Sequence, residues 1–444
     1  MTRDATTVRP PGLHRTLGSI SGAGVIVGLM VGSGIFRVPS VVAGHVEAVV
    51  PVAGLWVAGG GLALLGALSL AELAAMYPRT GGIYVYLREV DGPLVAFLYG
   101  WTRLLVLAPA SIGAIALICA AYLRSLLPVG GATESEVAVA IIVAVALLNV
   151  RSVSASAVTG NALSALKVAG LVVLGLALLW LGDAAGGSFA TAGSGAPPAS
   201  WSAFGLALVT VMWTYSGWSA VTALGGEMRD PGRTLPRALA LGTAVVVAAY
   251  LVVNAGYLLV LPADAMAASP LVAADAAGTA AGLAARRLVA VLVAVSTFGA
   301  LHAAMMYNPR IFYAMAEDGL LFRPFGRAHE RYRTPHLAVT LSALLGIVFV
   351  LSRSFEQLAE TFILGVWPFH VLAVAGLFVL RRRRPAAERP YRVWGYPVTP
   401  AVFLLASVAM VANALWRRPA SGAASVGAVL LGVPVYLLWL RSGR

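Results

Sequence analysis

The sequence predicts an all-α membrane protein of twelve transmembrane helices. Three observations lead there. The first is composition: 59% of the 444 residues are hydrophobic and 11% charged, with mean hydropathy +0.87, whereas a soluble domain is roughly 45–50% apolar and about 25% charged. The second is the length of the apolar runs, long enough to cross hydrocarbon as helices of about 20 residues; strands of a barrel would instead alternate over about 10 residues. The third is the placement of charge. Of 31 basic residues, 21 fall in segments that an inside N-terminus puts in the cytoplasm, and six in outer loops. This is the positive-inside bias. The net charge of +13 therefore reports orientation and calls for no nucleic-acid partner.

The spans cover residues 16–44, 51–76, 93–124, 136–150, 157–181, 203–226, 235–261, 286–316, 336–352, 356–380, 400–416 and 422–440. Ahead of them, 1–15 is polar and basic and reads as a cytoplasmic tail; the first apolar run is too long for a cleaved signal peptide. The stretch "GDAAGGSFATAGSGAPPAS" (182–200) is Gly-, Ala-, Ser- and Pro-rich, so 182–202 reads as a flexible outer loop. The gap 262–285 has room for short surface helices. Arg381 to Arg384 anchor a helix end and open a cytoplasmic basic loop, 381–399. The last two helices fill 400–444, with the C-terminus inside. Cys119 is the single cysteine and makes no internal disulfide.

Two spans have weak centres. In the first, Gly32-Ser33-Gly34 interrupts "GSISGAGVIVGLMVGSGIFRVPS". Glycine costs about 1 kcal/mol per helical position relative to alanine, and a broken helix survives at membrane depth only where protein or a polar cavity surrounds it. Close small-residue packing between helices explains "GSG" equally well. The sixth span tips the balance. It is weak at Ser216-Gly217, flanked by Trp213, Tyr215 and Trp218, and lies five helices after the first. Interrupted helices at matching places in two five-helix halves, 16–181 and 203–380, point to an inverted repeat with a secondary-transport site between the breaks. Half-helix N–H groups suit an anionic group and freed carbonyls a cation, so a zwitterion fits.

Enzyme chemistry finds no support. His14, His45, His302, His329, His336 and His370 include no i, i+3 or i, i+4 pair, so no metal or other cofactor is expected. No nucleophile elbow or phosphate loop stands in a suitable context, and aspartates are confined to loops.

Several stretches carry a resemblance: "GSGIF" (32–36), "AELAAMYPRTGGIYVYLRE" (71–89), "YSGWSAV" with "GEMRDPGRTLPRA", "PRIFYAMAEDGLLFRPFGRAHERYRTPHLAV" (309–339) and "RRRRPAAERPYRVWGYPVTP". In these the chain resembles the amino acid–polyamine–organocation superfamily, within it the L-amino acid and cationic amino acid transporter branches. The resemblance implies a LeuT-type fold and sodium-independent amino acid transport by alternating access, as exchanger or facilitator. It implies a substrate carboxylate on Ser33 and Gly34, with Gly32 beside them. The ammonium is implied on carbonyls of Met30, Trp213 and Ser216. Trp213, where the family usually has phenylalanine, is implied to close over the substrate, and Gly217 to allow close backbone approach. Ile35, Thr214, His302 and Trp367 are further pocket candidates. Lys167, the only lysine of the chain, matches a lysine that replaces sodium in sodium-independent members. Its implied partners are carbonyls of helix 1 and hydroxyls of helix 8, where this chain has Ala304 in place of serine and His302 in place of asparagine. The loop between the third and fourth spans lacks the cysteine by which eukaryotic members join a heavy chain, so no disulfide-linked partner is expected.

Alternatives stay open at several residues. Lys167 sits about half a span from either interface, too deep to snorkel easily; it is either a coupling or gating residue or a paired structural one. A lysine, unlike arginine, can release its proton, so proton-coupled symport is the second mechanism, and sodium-coupled symport or a non-transporting sensor are more distant ones. Glu72 and Arg103 read as structural. Arg37 is either a charge in the outer vestibule or an interface anchor, and His302 either a core histidine or a ligand. The Ala-, Arg- and Gly-rich usage suggests a bacterial plasma membrane.

Overall fold

The computed structural model describes residues 17–46, 49–79, 81–127, 130–151, 154–184, 200–223, 228–317, 319, 324, 329 and 334–441. Their order is α1 (Ser19–Met30), α2 (Val38–His45), α3 (Val49–Met76), α4 (Ile83–Val90), α5 (Pro93–Thr102), α6 (Ala108–Leu126), α7 (Glu134–Arg151), α8 (Ser154–Ala184) and α9 (Trp201–Thr214). Then follow α10 (Pro231–Val260), α11 (Ala263–Ala268), α12 (Val272–Glu317), α13 (His336–Ser352), α14 (Phe355–Arg383), α15 (Val398–Arg417), α16 (Pro419–Leu430) and α17 (Gly432–Arg441). Every apolar stretch picked out in the sequence carries helix. Among the described residues seven helices are long and apolar enough to cross a membrane, and none of these residues forms a sheet. The tail 1–15 and most of the loop 182–202 lie outside the described residues.

Local chemistry sets several boundaries. Proline occupies the first turn of α2, α5, α10 and α16, where its missing N–H costs no helical bond. A π turn over Arg103–Leu107 joins α5 to α6, so the third span runs unbroken from Pro93 to Leu126. Ser354 and Gln357 form a capping box at the start of α14. The gap 262–285 holds α11 and the opening turns of α12, which bends at Gly282.

The bundle is organised around α6. Most of its residues are buried, and it packs on α12, α13, α7 and α14. Across the bundle α10 packs on α3, α8 and α1. In contrast α15, α16 and α17 expose Leu405, Trp416, Leu431 and Leu438. Apolar side chains also stand exposed along α7, α8 and α13. A contiguous apolar exterior on long helices is the surface that lipid solvates.

One charged cluster locks an end of the bundle. Glu72, near the end of α3, is fully buried. It accepts from Arg381 Nε at 3.0 Å, Arg381 Nη2 at 2.6 Å and the backbone N–H of Val393 at 2.7 Å, with Arg389 Nε 3.4 Å away. The Arg381 guanidinium lies 3.6 Å from the centre of the Tyr396 ring. The segment after α14 is thereby tied to α3, which agrees with the structural reading of Glu72. Removing one partner of such a cluster strands the others, at about 3–5 kcal/mol, whereas an exposed pair is worth about 0–1 kcal/mol. Glu72→Ala should therefore lower the thermal unfolding midpoint in detergent clearly. Arg79→Ala, at the exposed Arg79–Glu89 pair, should leave it nearly unchanged.

Candidate functional site

Both weak centres are breaks. The first helix stops at Met30, Val31–Ser33 are non-helical, and a short 3-10 turn over Gly34–Phe36 leads to α2. In an unbroken helix Gly32 N–H would donate to Gly28 O; here it donates to Met30 O at 2.7 Å. Gly28 O is released, and Lys167 Nζ donates to it at 3.2 Å. The sixth helix stops at Thr214 and resumes as a 3-10 turn over Trp218–Ala223. Ser216 folds back, with both its N–H and Oγ–H donating to Trp213 O, at 3.1 and 2.7 Å.

The two breaks cross in direct backbone contact. A Cβ on Gly34 would lie 2.7 Å from Thr214 Oγ1 and 2.9 Å from Thr214 Cα. A Cβ on Gly217 would lie 3.2 Å from the Leu29 carbonyl and 3.3 Å from Met30 N, and Gly217 has φ +108°. The glycine of each break thus admits the other helix, and Gly217 alone adopts a backbone that side chains disfavour. Tyr250 of α10 serves both: its hydroxyl donates to Met30 O at 2.7 Å with Thr214 O at 3.3 Å.

Around the crossing lies a cavity of about 170 Å³. Gly28, Met30, Gly32, Ser33 and Gly34 line one side, with Trp213, Thr214, Ser216 and Gly217 opposite. Lys167, Ser111, Arg103, Asn308 and Phe362 complete its polar and aromatic wall. Two further cavities flank it. One of about 270 Å³ is lined by Arg37, Glu134, Arg353 and Glu356, among others, and shares no lining residue with the central cavity. Between them stands Trp213, edge-on to Phe362 at 4.9 Å and to Phe355 at 6.4 Å. Arg37 Nη2 reaches Glu356 Oε1 at 2.9 Å, so the segment just after the first break is ion-paired to α14. The other chamber, of about 80 Å³, shares Arg103, Ser216, Gly217 and Phe362 with the central cavity.

The family model for amino acid permeases matches residues 17–437. The chain belongs to the amino acid permease family. Among relatives of this permease, the serine/threonine exchanger SteT of Bacillus subtilis (strain 168) is 29% identical over 430 residues, 96% of this chain and 97% of that protein. The human b(0,+)-type amino acid transporter 1 is 33% identical over 92% of this chain and 84% of its own length. The human cystine/glutamate transporter is 32% identical over 97% and 87%. With its apolar helices, the permease is a multi-pass membrane protein of an amino acid transporter family.

Nine of the twelve residues named from sequence meet in the central cavity of the permease: Met30, Gly32, Ser33, Gly34, Lys167, Trp213, Thr214, Ser216 and Gly217. The others stand apart. Ile35 is fully buried in the core. His302 Nδ1 is 2.9 Å from Asn149 Nδ2 of α7, and the cavity wall passes it by through Ala300, Ala303 and Ala304. Trp367 lines the chamber of about 80 Å³ beside His370. On α12, Ala304 offers Lys167 no hydroxyl; Ser296 shares a small cleft of about 40 Å³ with it instead. Sequence reasoning missed Tyr250, Ser111, Asn308 and Phe362, none of which stands out in an apolar helix. It set Arg103 aside as structural although a charge within a span is itself a signal.

Gly217→Ala should strain the second break by about 1–3 kcal/mol and press on the Leu29 carbonyl. Tyr250→Phe should remove the hydroxyl from Thr214 O and leave Met30 O with the Gly32 N–H, at about 0.5–1.5 kcal/mol. Both variants should unfold at lower temperature in detergent and bind substrate more weakly, Gly217→Ala the more severely.

Proposed function

We propose that this permease is a sodium-independent secondary amino acid transporter, an exchanger or facilitator working by alternating access between two five-helix repeats of a twelve-helix, LeuT-type bundle. The observation that carries the reading is the crossing of the two breaks around one cavity with Lys167 seated on the carbonyl that the first break releases. The N–H groups that open a helical turn have no intrahelical acceptor, and at Ser33 and Gly34 they offer a carboxylate a backbone cradle. The ammonium goes to the opposite ends, at Met30, Trp213 and Ser216. Trp213 O already accepts two bonds from Ser216, so an arriving ammonium displaces the Ser216 hydroxyl.

Lys167 stands where a sodium ion would otherwise neutralise helix carbonyls, and it holds α8 to the first break. Trp213 with Phe355 and Phe362, and the Arg37–Glu356 pair, separate the site from the larger outer cavity. Opening outward breaks those contacts, and moving the inner halves opens the other side. Both termini lie in the cytoplasm and the membrane is the bacterial inner membrane. Cys119, the chain's one thiol, is buried and contacts Ala294 O at 3.5 Å, so a disulfide-linked heavy chain forms no part of this reading. Exchange is favoured by the similarity to the serine/threonine exchanger of B. subtilis. Proton symport is the second reading. It is favoured by one fact: of the two charged residues in the cavity wall, Lys167 and Arg103, only lysine can release a proton.

Purified protein in proteoliposomes tests both. Uptake of labelled amino acid should rise with unlabelled amino acid inside and stay unchanged when choline replaces sodium. Stimulation by an inward proton gradient, with none by internal substrate, would favour symport. Lys167→Ala removes a charge-assisted bond, so uptake should fall about tenfold or more. Undiminished uptake by that variant, or a requirement for sodium, would sink the assignment of the lysine.

A further inference from the structure

Lys167 lies in the walls of two spaces, the central cavity and a cleft of about 40 Å³ between α8 and α12. Phe36, which ends the 3-10 turn of the first break, reaches the same cleft. The rest of the cleft wall is apolar except for Ser296 of α12. Gly28 O takes one N–H of Lys167 Nζ, and an ammonium has three to give. Ser296 is 5% exposed, and its hydroxyl has no hydrogen-bond partner. Among the described residues, the wall of the cleft carries no carboxylate.

The cleft reaches the outside of the bundle, since Val295 in its wall is 44% exposed. With Leu288 and Val291, Val295 forms an exposed apolar stripe on α12, at the spacing of one helix face. On α8, Val173 and Leu176 are likewise apolar and exposed. Lipid solvates such faces. Gly170, one turn after Lys167, also lines the cleft, and a Cβ there would meet no atom within 4 Å. Glycine is a poor helix former. Here no packed neighbour requires it, and it leaves space open beside the lysine.

We propose that this cleft is a lipid-side site for the carboxylate of a long-chain fatty acid. Lys167 supplies the counter-charge and the Ser296 hydroxyl a second donor, which is what a carboxylate needs in hydrocarbon. A space of this size takes a two-oxygen head group and leaves the acyl chain outside, along the exposed faces of α8 and α12. Bound there, the carboxylate competes with Gly28 O for the ammonium and lies against Phe36, so it slows the movement of the first break. Binding is independent of the transport reading; the slowing of transport rests on it.

The test is photo-crosslinking of the full-length protein in phosphatidylcholine nanodiscs, with a palmitic acid that carries a diazirine along its chain, and mass spectrometry of the labelled peptides. Label should fall on α8 and α12 beside the cleft. Palmitate should compete about ten- to hundredfold better than methyl palmitate, the range of one charge-assisted bond. Lys167→Gln should bring that ratio towards one, and Ser296→Ala should weaken palmitate a few-fold. Gly170→Leu, whose Cβ enters open space, should cut labelling about tenfold and keep the wild-type unfolding midpoint; it serves if the lysine variant does not fold. Methyl palmitate competing as well as palmitate, label spread evenly over other helices, or labelling unmoved in Gly170→Leu overturns the site. In proteoliposomes palmitate should slow amino acid uptake by the wild type and spare Gly170→Leu. Equal slowing of both overturns the effect on transport. If the wild type takes up no amino acid, the transport reading falls, and the cross-linking still decides the site.

Discussion

Backbone polar groups released inside an apolar bundle must find partners, and the centre of this molecule is arranged around that requirement. Two helices stop halfway, and each stop frees carbonyls that need donors from elsewhere in the bundle. The structure answers with a lysine on Gly28 O, a tyrosine hydroxyl reaching Met30 O and Thr214 O, and a serine folded onto Trp213 O. These bonds fix the places of α8, α10 and the two breaks relative to one another. In the proposed transporter, the donors left at the start of the 3-10 turn are those that take the substrate carboxylate.

Lys167 and Tyr250 belong to helices other than those they cap, so in the proposed transport cycle a shift of α8 or α10 against the breaks would exchange one set of acceptors for another. The contacts around Trp213 and Arg37 are an edge-to-face ring pair and one partly exposed ion pair, Arg37–Glu356, weak contacts of the kind that the proposed transport cycle makes and breaks. The Glu72 cluster is the opposite case: a fully buried carboxylate with several donors, which fixes the end of the bundle and leaves motion to the middle.

Arginine and lysine divide the work by chemistry. Arginines take the ends of the bundle, where a permanently charged planar fork suits paired carboxylates such as Glu72 and Glu360. The single lysine takes the position beside the first break, where a compact ammonium on a flexible stem caps Gly28 O. Arg103 is the exception, an arginine in the cavity wall that bonds Tyr99 and Asn308.

The sequence by itself determined the helices and the breaks. Apolar run length decides what spans a bilayer, and glycine with serine at mid-span decides where a helix cannot continue; both are local properties. Nine site residues were legible because they lie on or beside those breaks, or, for Lys167, because a buried charge declares itself. What only the tertiary structure decided is which helix faces meet. In a chain whose helices are apolar on every side, periodicity does not distinguish the face towards lipid from the face towards a neighbour. The sequence therefore left His302 open between core and pocket, and α12 turns it to Asn149 on α7. Tyr250 passed unnoticed, since a hydroxyl gains its role only from the carbonyls brought to it from two other helices. Trp367 was assigned to one pocket where the structure has two chambers, because the crossing of backbones that divides them involves residues more than 180 positions apart in the chain.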